Sequence, residues 1–522
     1  MTQYPPESDD SVIEAELGSE STPDSPCVAQ NRLSISGMIS WLVVLIITAA
    51  VIMLVATEQQ VDSETVDGDA SSGDLMQVQL AGKMLVGQQE LQAIAEELAG
   101  DQGEPEDDAE ETLADEDRKA IETAIESANT GTFEQQLVCV VLTNELLGAD
   151  LALEKMGDLN ERVATHKFAR SENQIILSEA VSNVIHACAN DSFDDATLSI
   201  EEEKLLDEKL GWVGRLASAP ELSGKTESRE AVIAEATSSL VICSLASLAG
   251  IVAMITGFVL AMRTIRFWRR GEFESQFKSR AGVHNIYIET FALWLVYFFG
   301  IQFAIGAWVE ENNVDPLALN PFIFFSSLIV LAWPVIRGIP FSQVRQDIGW
   351  TSTKPLRDLL SAPVGYLATI PLVFITLVLM GGLIVQSVEP GETEEFSRGN
   401  SISHPIQEYV ADSDATVFLW VILSACVAAP IVEETVFRGI LYRHLRDVTS
   451  HWRMTATVAF SSVVNAFIFA AVHPQGVMLI PVLGSLAVGF SLMREWRGSL
   501  YPSMIMHAIH NSLVTCLMFT IL

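Results

Sequence analysis

Residues 416–446 read TVFLWVILSACVAAPIVEETVFRGILYRHLR. The beginning of this stretch, 416–428, has no charge and is as apolar as a membrane-spanning helix, yet Glu433, Glu434 and Arg438 follow closely. A charged side chain at the centre of a bilayer costs about 2.5–3.5 kcal/mol on insertion scales, so such residues are retained for a function or for an ion pair. The stretch therefore predicts a membrane helix that carries a functional site.

The rest of the chain keeps its apolar and its charged residues in different segments. It has 522 residues, of which 49% are hydrophobic, and a net charge of −37. A spanning helix needs about 20 apolar residues. Nine runs approach that length, at 37–56, 239–262, 287–309, 321–336, 363–386, 416–437, 455–473, 476–493 and 499–521. The sequence predicts an all-α, polytopic transmembrane helix bundle of about nine spans with an acidic helical domain outside the membrane.

Basic residues are concentrated in every second loop between these runs. The loop 310–320 has no arginine or lysine, and 387–415 has only Arg398. The loops that alternate with them are basic, at 263–280, 337–357, 443–453 and 494–497. Cytoplasmic loops of membrane proteins carry the excess of arginine and lysine. The pattern predicts an integral, multi-pass protein, expected in a bacterial cytoplasmic membrane, with its N-terminus inside and its C-terminus outside.

Composition divides the chain into four parts. Residues 1–36 are rich in Ser, Pro, Asp and Glu, which predicts a disordered cytoplasmic tail. Residues 37–56 form the first transmembrane anchor, favoured over a cleaved signal peptide because the preceding segment is long and acidic. Residues 57–238 form an acidic extracytoplasmic segment, in which helical spacing predicts a helical domain at about 118–218. Residues 239–522 form a membrane bundle of eight helices.

The acidic segment does not reveal its partner. The run 101–117 has no basic residue and is typical of a solvated linker, with a calcium or basic-partner site as the alternative. It contains no EF-hand loop. The acidic total argues against nucleic acid as a partner. Cys139 and Cys188 are the two cysteines of this segment, and a disulfide and two free thiols are both open.

The three charges of the opening stretch are not equivalent. Glu434 and Arg438 are four residues apart on one helix face and could form an ion pair. Glu433 points about 100° away from Glu434 and needs a partner of its own.

Two later apolar runs offer partners for Glu433. Phe469 and His473 are four residues apart in one run, and His507 and Asn511 are four apart in the last. A carboxylate with two imidazoles can bind a divalent metal and its water. Alternatively, the glutamate can act as a general base while histidines stabilise an oxyanion. The convergence of three polar elements from three runs predicts a hydrolytic site.

Other intramembrane and nucleotide-dependent chemistries lack their motifs. The sequence has no HExxH, GxSG or GxGD motif, and no Walker A or Rossmann glycine pattern. Two alternatives to an enzyme stay open: a non-catalytic membrane scaffold or immunity protein, and an ion-coupled transporter that uses Glu and His as a proton relay.

The polar residues form three motifs in order, EETVFR (433–438), FAAVH (469–473) and HAIHN (507–511). The chain thereby resembles the CPBP family of intramembrane proteases, marked by EExxxR, FxxxH and HxxxN, whose type members are the type II CAAX prenyl endopeptidases. The resemblance covers about 340–522. It implies an endopeptidase that hydrolyses a peptide bond of a membrane-embedded or membrane-anchored protein or peptide.

The resemblance also implies roles for single residues. Glu433 would activate the water with the assistance of His473, and His507 and Asn511 would hold the oxyanion. The supporting residues would be Glu434, Arg438 and Phe469. The family is often labelled metalloprotease, which implies a divalent metal such as zinc at Glu433, His473 and His507. Metal-free hydrolysis that depends on the glutamate is the alternative.

Helix geometry raises one difficulty for this site. Glu433 lies 13 residues before Arg446, about 20 Å along a helix, whereas His473 lies 21 residues beyond Trp452, about 31 Å. If both helices start at the same membrane surface, we expect the two side chains at different depths. A kink at Pro430, a tilt of the second helix or an interfacial start to it would bring them together.

Overall fold

The computed structural model describes residues 34–64, 72–99, 118–125, 132–165, 170–194, 197–223, 225–279, 284–312, 316–387, 415–473, 475 and 477–521. Within these ranges every regular element is a helix, so the predicted all-α class is confirmed. The predicted N-terminal tail lies outside them except for its last residues, and the acidic run 101–117 lies outside them entirely.

In the described ranges, nine long helices belong to the predicted membrane part. They are α1 (Ile35–Glu64), α7 (Thr226–Arg269), α8 (His284–Asn312), the interrupted helix α9 (Leu317–Ile336), α11 (Pro355–Ser387), α12 (Ala415–Val448), α13 (Met454–Ala471), α14 (Val477–Arg497) and α15 (Tyr501–Ile521). In the described part of the chain, eight of them are long and apolar enough to cross a membrane. The predicted polytopic bundle is confirmed. The ninth predicted span, 499–521, is α15, which is not among those eight.

The remaining long helices lie between α1 and α7. They are α2 (Ser72–Ala99), α3 (Phe133–Leu147), α4 (Ala149–Thr165), α5 (Glu172–Ala189) and α6 (Ile200–Ser218). Three of them begin with a capping box, in which a hydroxyl and a Glu or Gln side chain take up the free backbone N–H groups at the helix start. The pairs are Thr132 with Gln135, Ser171 with Gln174, and Ser199 with Glu202.

These helices share one hydrophobic core. Helix α3 is almost entirely buried at its centre, and α2, α4, α5 and α6 pack against it. The core also includes Leu75 and Val86 from α2 and Val232 and Ala236 from α7, which lie outside the predicted range of 118–218. Because α2 and the start of α7 close the core, the helical domain is continuous with the membrane bundle.

The two cysteines of this domain are not joined in a disulfide. Cys139 is buried within α3, and Cys188 lies near the end of α5, where Asn144 Nδ2 contacts its sulfur at 3.8 Å. Burial raises the pKa of the Cys188 thiol, which keeps it in the unreactive protonated form at neutral pH. Of the two alternatives left open by the sequence, the structure has free thiols.

Helix α7 connects the helical domain to the bundle without a break. Its 44 residues correspond to about 66 Å of helix. At its domain end, Glu235 lies 2.8 Å from the buried Lys83 of α2, and Arg229 lies 2.6 Å from Glu145 of α3. At its membrane end it packs along α11. The domain is therefore held to the bundle by a rigid connection.

The basic loops meet at one end of the bundle. Gln276 donates its N–H to the Glu495 carbonyl, Leu500 donates to the Gly349 carbonyl, and Arg497 pairs with Asp358 at 2.6 Å. These contacts join the loops that follow α7, α9 and α14. Their grouping at one end is the arrangement that the positive-inside pattern requires.

The first helix is an integral part of this bundle. Helix α1 packs along α8, and Val44 belongs to the same core as residues of α8 and α12. Trp41 Nε1 donates a hydrogen bond to His444 Nε2 of α12 at 2.9 Å. The bundle thus includes a helix that precedes the helical domain in the sequence.

We expect the contact between α7 and α11 to depend on Gly257. A Cβ atom at this position would lie 2.2 Å from the Leu367 carbonyl oxygen, so Gly257→Ala forces the two helices apart. We expect a loss of about 1–3 kcal/mol of unfolding free energy, measured by denaturant titration in detergent micelles.

Gly250→Ala is the matched control, because nothing lies within 4 Å of a Cβ at Gly250 on the same helix. Alanine there should leave the protein unchanged or stabilise it by about 0.5–1 kcal/mol through helix propensity. Equal effects of the two substitutions would contradict the close helix contact.

Candidate active site

Helix α12, which carries the EETVFR motif, is not a regular α-helix. Segments Ile422–Ala428 and Glu434–Leu441 are π-helical, with a short α-helical segment between them. In a π-helix each N–H bonds to the carbonyl five residues back, as Ala429 does with Ser424. Pro430 favours this departure because it has no N–H and its ring crowds the carbonyl four residues before it. Such π segments change the direction of the side chains that follow them, and they are frequent at functional sites.

The first and second motifs lie at the same depth, against the expectation from counting residues. Thr449 at the end of α12 and Thr457 in α13 are in hydroxyl contact, which fixes the register of the two helices. Glu433 lies sixteen residues before Thr449, and His473 lies sixteen after Thr457. The expected mismatch was wrong because Arg446 and Trp452 do not lie at the same depth: the facing residues Thr449 and Thr457 lie three residues beyond Arg446 and five beyond Trp452.

Three motif side chains converge in the structure. His473 Nε2 lies 3.5 Å from Glu433 Oε2, and His507 Nε2 lies 3.9 Å from the same oxygen. Each of the three residues comes from a different helix or its end, since His473 lies just beyond α13 and His507 lies in α15. The convergence predicted from the sequence is therefore present for Glu433, His473 and His507.

The second glutamate forms a buried network of its own. Glu434 Oε1 accepts a hydrogen bond from Arg438 NH1 at 2.8 Å and lies 3.2 Å from His507 Nδ1. Glu434 and Arg438 are wholly inaccessible to solvent. Their pairing neutralises both charges in the bundle and orients the imidazole of His507.

Aromatic rings enclose this network. The Arg438 guanidinium lies 4.4 Å from the centre of the Phe469 ring and 5.1 Å from that of Phe490. Phe490 also stacks on His507, with the ring centres 5.2 Å apart. Phe469 was predicted as a supporting residue, but Phe490 was missed because no motif marks α14. Only its packing reveals it.

The hydrogen bonds of the two histidines determine which nitrogen faces Glu433. His473 Nδ1 contacts the Phe469 carbonyl, and His507 Nδ1 contacts the Glu434 carboxylate. Both contacts are with acceptors, so each Nδ1 is assigned the proton from the hydrogen-bond network. The Nε2 atoms then face Glu433 Oε2, which has no hydrogen-bond partner among the described residues. A water between His473 Nε2 and Glu433 Oε2 would satisfy both atoms.

Exposure separates the residues into two groups. Glu433 keeps 8% of its surface and the His473 side chain keeps 18%, whereas Glu434 and Arg438 keep none. Of these four residues, only Glu433 and His473 present surface to a water or a substrate. The buried pair can act only through its neighbours.

The hydrogen bond of Asn511 is with the backbone of α12 and not with the three converging side chains. Its Nδ2 donates a hydrogen bond of 2.6 Å to the Ala425 carbonyl, in the first π segment of α12. One turn further along α15, Thr515 Oγ1 lies 3.9 Å from Cys426 Sγ. The fourth predicted catalytic residue thus binds the backbone of α12.

The metal expected at Glu433, His473 and His507 stays a prediction. In the described ranges, no group of three or more His, Cys, Asp or Glu side chains could hold a metal ion. Zinc binds nitrogen and oxygen ligands at about 2.0–2.2 Å in a tetrahedral arrangement. Glu433, His473 and His507 converge, but they do not form such a group.

Comparison with known families finds a match in the C-terminal part of the chain. Residues 415–513 match the family model "Rce1-like: Type II CAAX prenyl endopeptidase Rce1-like". The matched segment contains all three motifs, and it confirms the resemblance drawn from them. No curated protein matches the chain, and no solved structure does.

We expect Glu434→Gln to destabilise the protein far more than Glu433→Gln. The first substitution leaves the Arg438 guanidinium buried without a carboxylate, which costs about 3–5 kcal/mol. The second removes a carboxylate that has some exposure and no arginine partner.

Denaturant titration of the two purified variants in the same detergent gives the comparison. Both changes keep the size of the side chain, so Glu433→Gln is the matched control. Equal losses of unfolding free energy would contradict the assignment of Glu434 as the partner that neutralises Arg438.

Proposed function

We propose, on the premise that this chain carries an Rce1-like domain of the CAAX prenyl endopeptidase family, that the protein is an intramembrane endopeptidase. It would hydrolyse a peptide bond of a membrane-embedded or membrane-anchored protein or peptide. The observation that carries the proposal is the approach of His473 and His507 to one oxygen of Glu433, at 3.5 and 3.9 Å.

Glu433 is the general base of the proposed reaction. Its Oε2 and the Nε2 of His473 can each accept a hydrogen bond, and among the three converging side chains those of Glu433 and His473 are the more exposed. A water that donates one hydrogen to each would be held and polarised between them. Glu433 takes a proton from this water while the oxygen attacks the carbonyl carbon of the scissile bond.

His507 stabilises the negative charge that then develops on the carbonyl oxygen. Its two nitrogens face Glu434 and Glu433, so a proton on each nitrogen would meet a carboxylate. The protonated imidazole also balances the charge of two glutamates against one arginine. Its Nε2–H is the donor to the oxyanion, and such preorganised donors contribute about 2.7–4 kcal/mol to catalysis.

The reaction ends with a proton transfer from Glu433. The tetrahedral intermediate collapses, the carbon–nitrogen bond breaks, and the proton taken from water passes to the leaving amine. The products are a new carboxyl group and a new amino group. Phe469 and Phe490 enclose the charges in an apolar surround, where electrostatic interactions are stronger than in water.

The position of the site favours substrates that reach the basic end of the bundle. Trp350, in the loop after α10 (Phe341–Ile348), donates a hydrogen bond of 2.9 Å to Thr435 Oγ1, beside Glu434. The site therefore lies within one or two turns of that loop. We propose that a membrane-associated substrate is cleaved near this surface rather than in the middle of a span.

N-terminal peptide profiling tests the proposal. Membranes expressing the wild type or Glu433→Gln at equal levels are compared, and we expect new N-termini that are present only with the wild type. Loss of the general base should lower the cleavage rate by about 10²–10⁴-fold.

Glu289→Gln is the matched control. Glu289 is also a buried glutamate of a spanning helix, paired with Arg337 at 2.9 Å, but it has no contact with the motif residues among its described partners. We expect it to retain the wild-type cleavage products. Identical profiles from the wild type and folded Glu433→Gln would instead favour the scaffold or transporter interpretation.

We also propose that the reaction needs no divalent metal. Cleavage of a substrate found by the profiling should continue after the purified protein has been treated with a strong zinc chelator and dialysed. Its rate should stay within about two-fold of the untreated rate, since the proposed base and oxyanion donor are both side chains. A loss of activity that added zinc restores would show a metal-dependent reaction.

A further inference from the structure

The carbonyl of Ala425 has lost the backbone donor that a helix normally supplies. In an α-helix its partner would be the N–H of Ala429, and in a π-helix it would be the N–H of residue 430. The Ala429 N–H bonds to Ser424 instead, and residue 430 is a proline without an N–H. Neither backbone donor therefore serves Ala425.

A partly buried carbonyl in a membrane helix is unfavourable without a donor, because the bilayer core supplies no water to replace it. Here the partner is the side-chain amide of Asn511, which donates to Ala425 O at 2.6 Å. The donor comes from α15, 86 residues later in the chain. The hydrogen bond thus ties α15 to the point at which α12 departs from α-helical geometry.

The consequence for the site follows from helix geometry. Glu433 lies eight residues after Ala425 on the same helix. A change from π to α register in this segment would shift the following residues by one position, which is about 100° of rotation. Glu433 would then no longer face His473 and His507. The register at Ala425 therefore determines where the carboxylate points.

We propose that Asn511 is a positioning residue. It stabilises the π-helical register of the first π segment of α12, because its amide donates to the Ala425 carbonyl that Pro430 leaves without a donor. The tether is a property of the fold, whereas its effect on catalysis rests on the proposed peptidase function. This role differs from direct contact with the oxyanion, which the family resemblance implies for Asn511. The Asn511 amide already donates a hydrogen bond to the Ala425 carbonyl of α12.

A double-mutant cycle between Asn511 and Pro430 tests the tether. Asn511→Leu keeps the approximate size of the side chain and removes the donor. Pro430→Ala restores an N–H, which in the π register points at Ala425 O. We expect Asn511→Leu to lower the unfolding temperature in detergent by about 2–4 °C, and by less than about half of that in the Pro430→Ala background.

Thr515→Val is the matched control. It removes a hydroxyl from the same face of α15, one turn away, and its contact is with the Cys426 thiol rather than the Ala425 carbonyl. Any change in unfolding temperature that it causes should be the same with and without Pro430→Ala. Relief of its effect by Pro430→Ala would show a general repacking of the helices and would overturn the specific tether.

Cleavage of a substrate found by the profiling gives the second measurement. A displacement of the base of about 1 Å costs about 10²-fold, so we expect Asn511→Leu to be slower by 10–100-fold and the double variant to recover at least about ten-fold. Recovery of stability without recovery of rate would show that Asn511 acts on the reacting atoms, which overturns the positioning role.

The two measurements separate this inference from the proposed function. Unfolding temperatures need no substrate, so the tether is decided even if no cleavage is found. An unchanged unfolding temperature in Asn511→Leu would overturn the tether whatever the activity. Absence of cleavage by the wild type, together with a clear cycle in stability, would reject the peptidase proposal and keep the tether.

Discussion

The bundle depends on the neutralisation of charge at a place that water does not reach. Glu434 and Arg438 are fully buried and pair at 2.8 Å, and His507 approaches the same carboxylate at 3.2 Å. Removing two charges from water is expensive, and only close pairing with further hydrogen bonds offsets the cost. Helices α12 and α15 and the aromatic residues around them bring these groups together, and only Glu434 Oε2 and Arg438 Nε of the pair have no hydrogen-bond partner among the described residues.

That constraint explains why the two adjacent glutamates have different surroundings. Glu434 is fully buried in its ion pair with Arg438, so its side chain cannot contact a substrate. Glu433 is turned to the partly exposed side, where the imidazoles of His473 and His507 approach it. Glu434, which is fully buried, orients His507, and Glu433 keeps the small exposed fraction on which the proposed reaction depends.

Irregular backbone is the second requirement of the site. A regular α-helix through Pro430 would clash with the preceding turn and would present the motif residues in other directions. Helix α12 instead has two π segments, and Asn511 of α15 satisfies the carbonyl that the first of them leaves without a donor. The last motif of the chain thereby supports the geometry of the first.

Much of this could be predicted from the sequence by itself. Long apolar runs determine that helices form and cross a membrane, since only internally bonded backbone is stable there. The spacing of four residues within each motif predicted that Glu434 lies beside Arg438 and Phe469 beside His473. Local periodicity decides which residues share a helix face. The set of Glu433, His473 and His507 followed from their being the few polar groups in such runs.

Only the tertiary structure decided how these helices are placed relative to one another. The equal depth of Glu433 and His473 depends on the register between Thr449 and Thr457, and the packing of Phe490 on His507 depends on α14. The contact of Asn511 with Ala425 joins residues 86 positions apart. Such contacts have no local pattern in the sequence, because they depend on where separate helices start and on backbone hydrogen bonds that a proline removes.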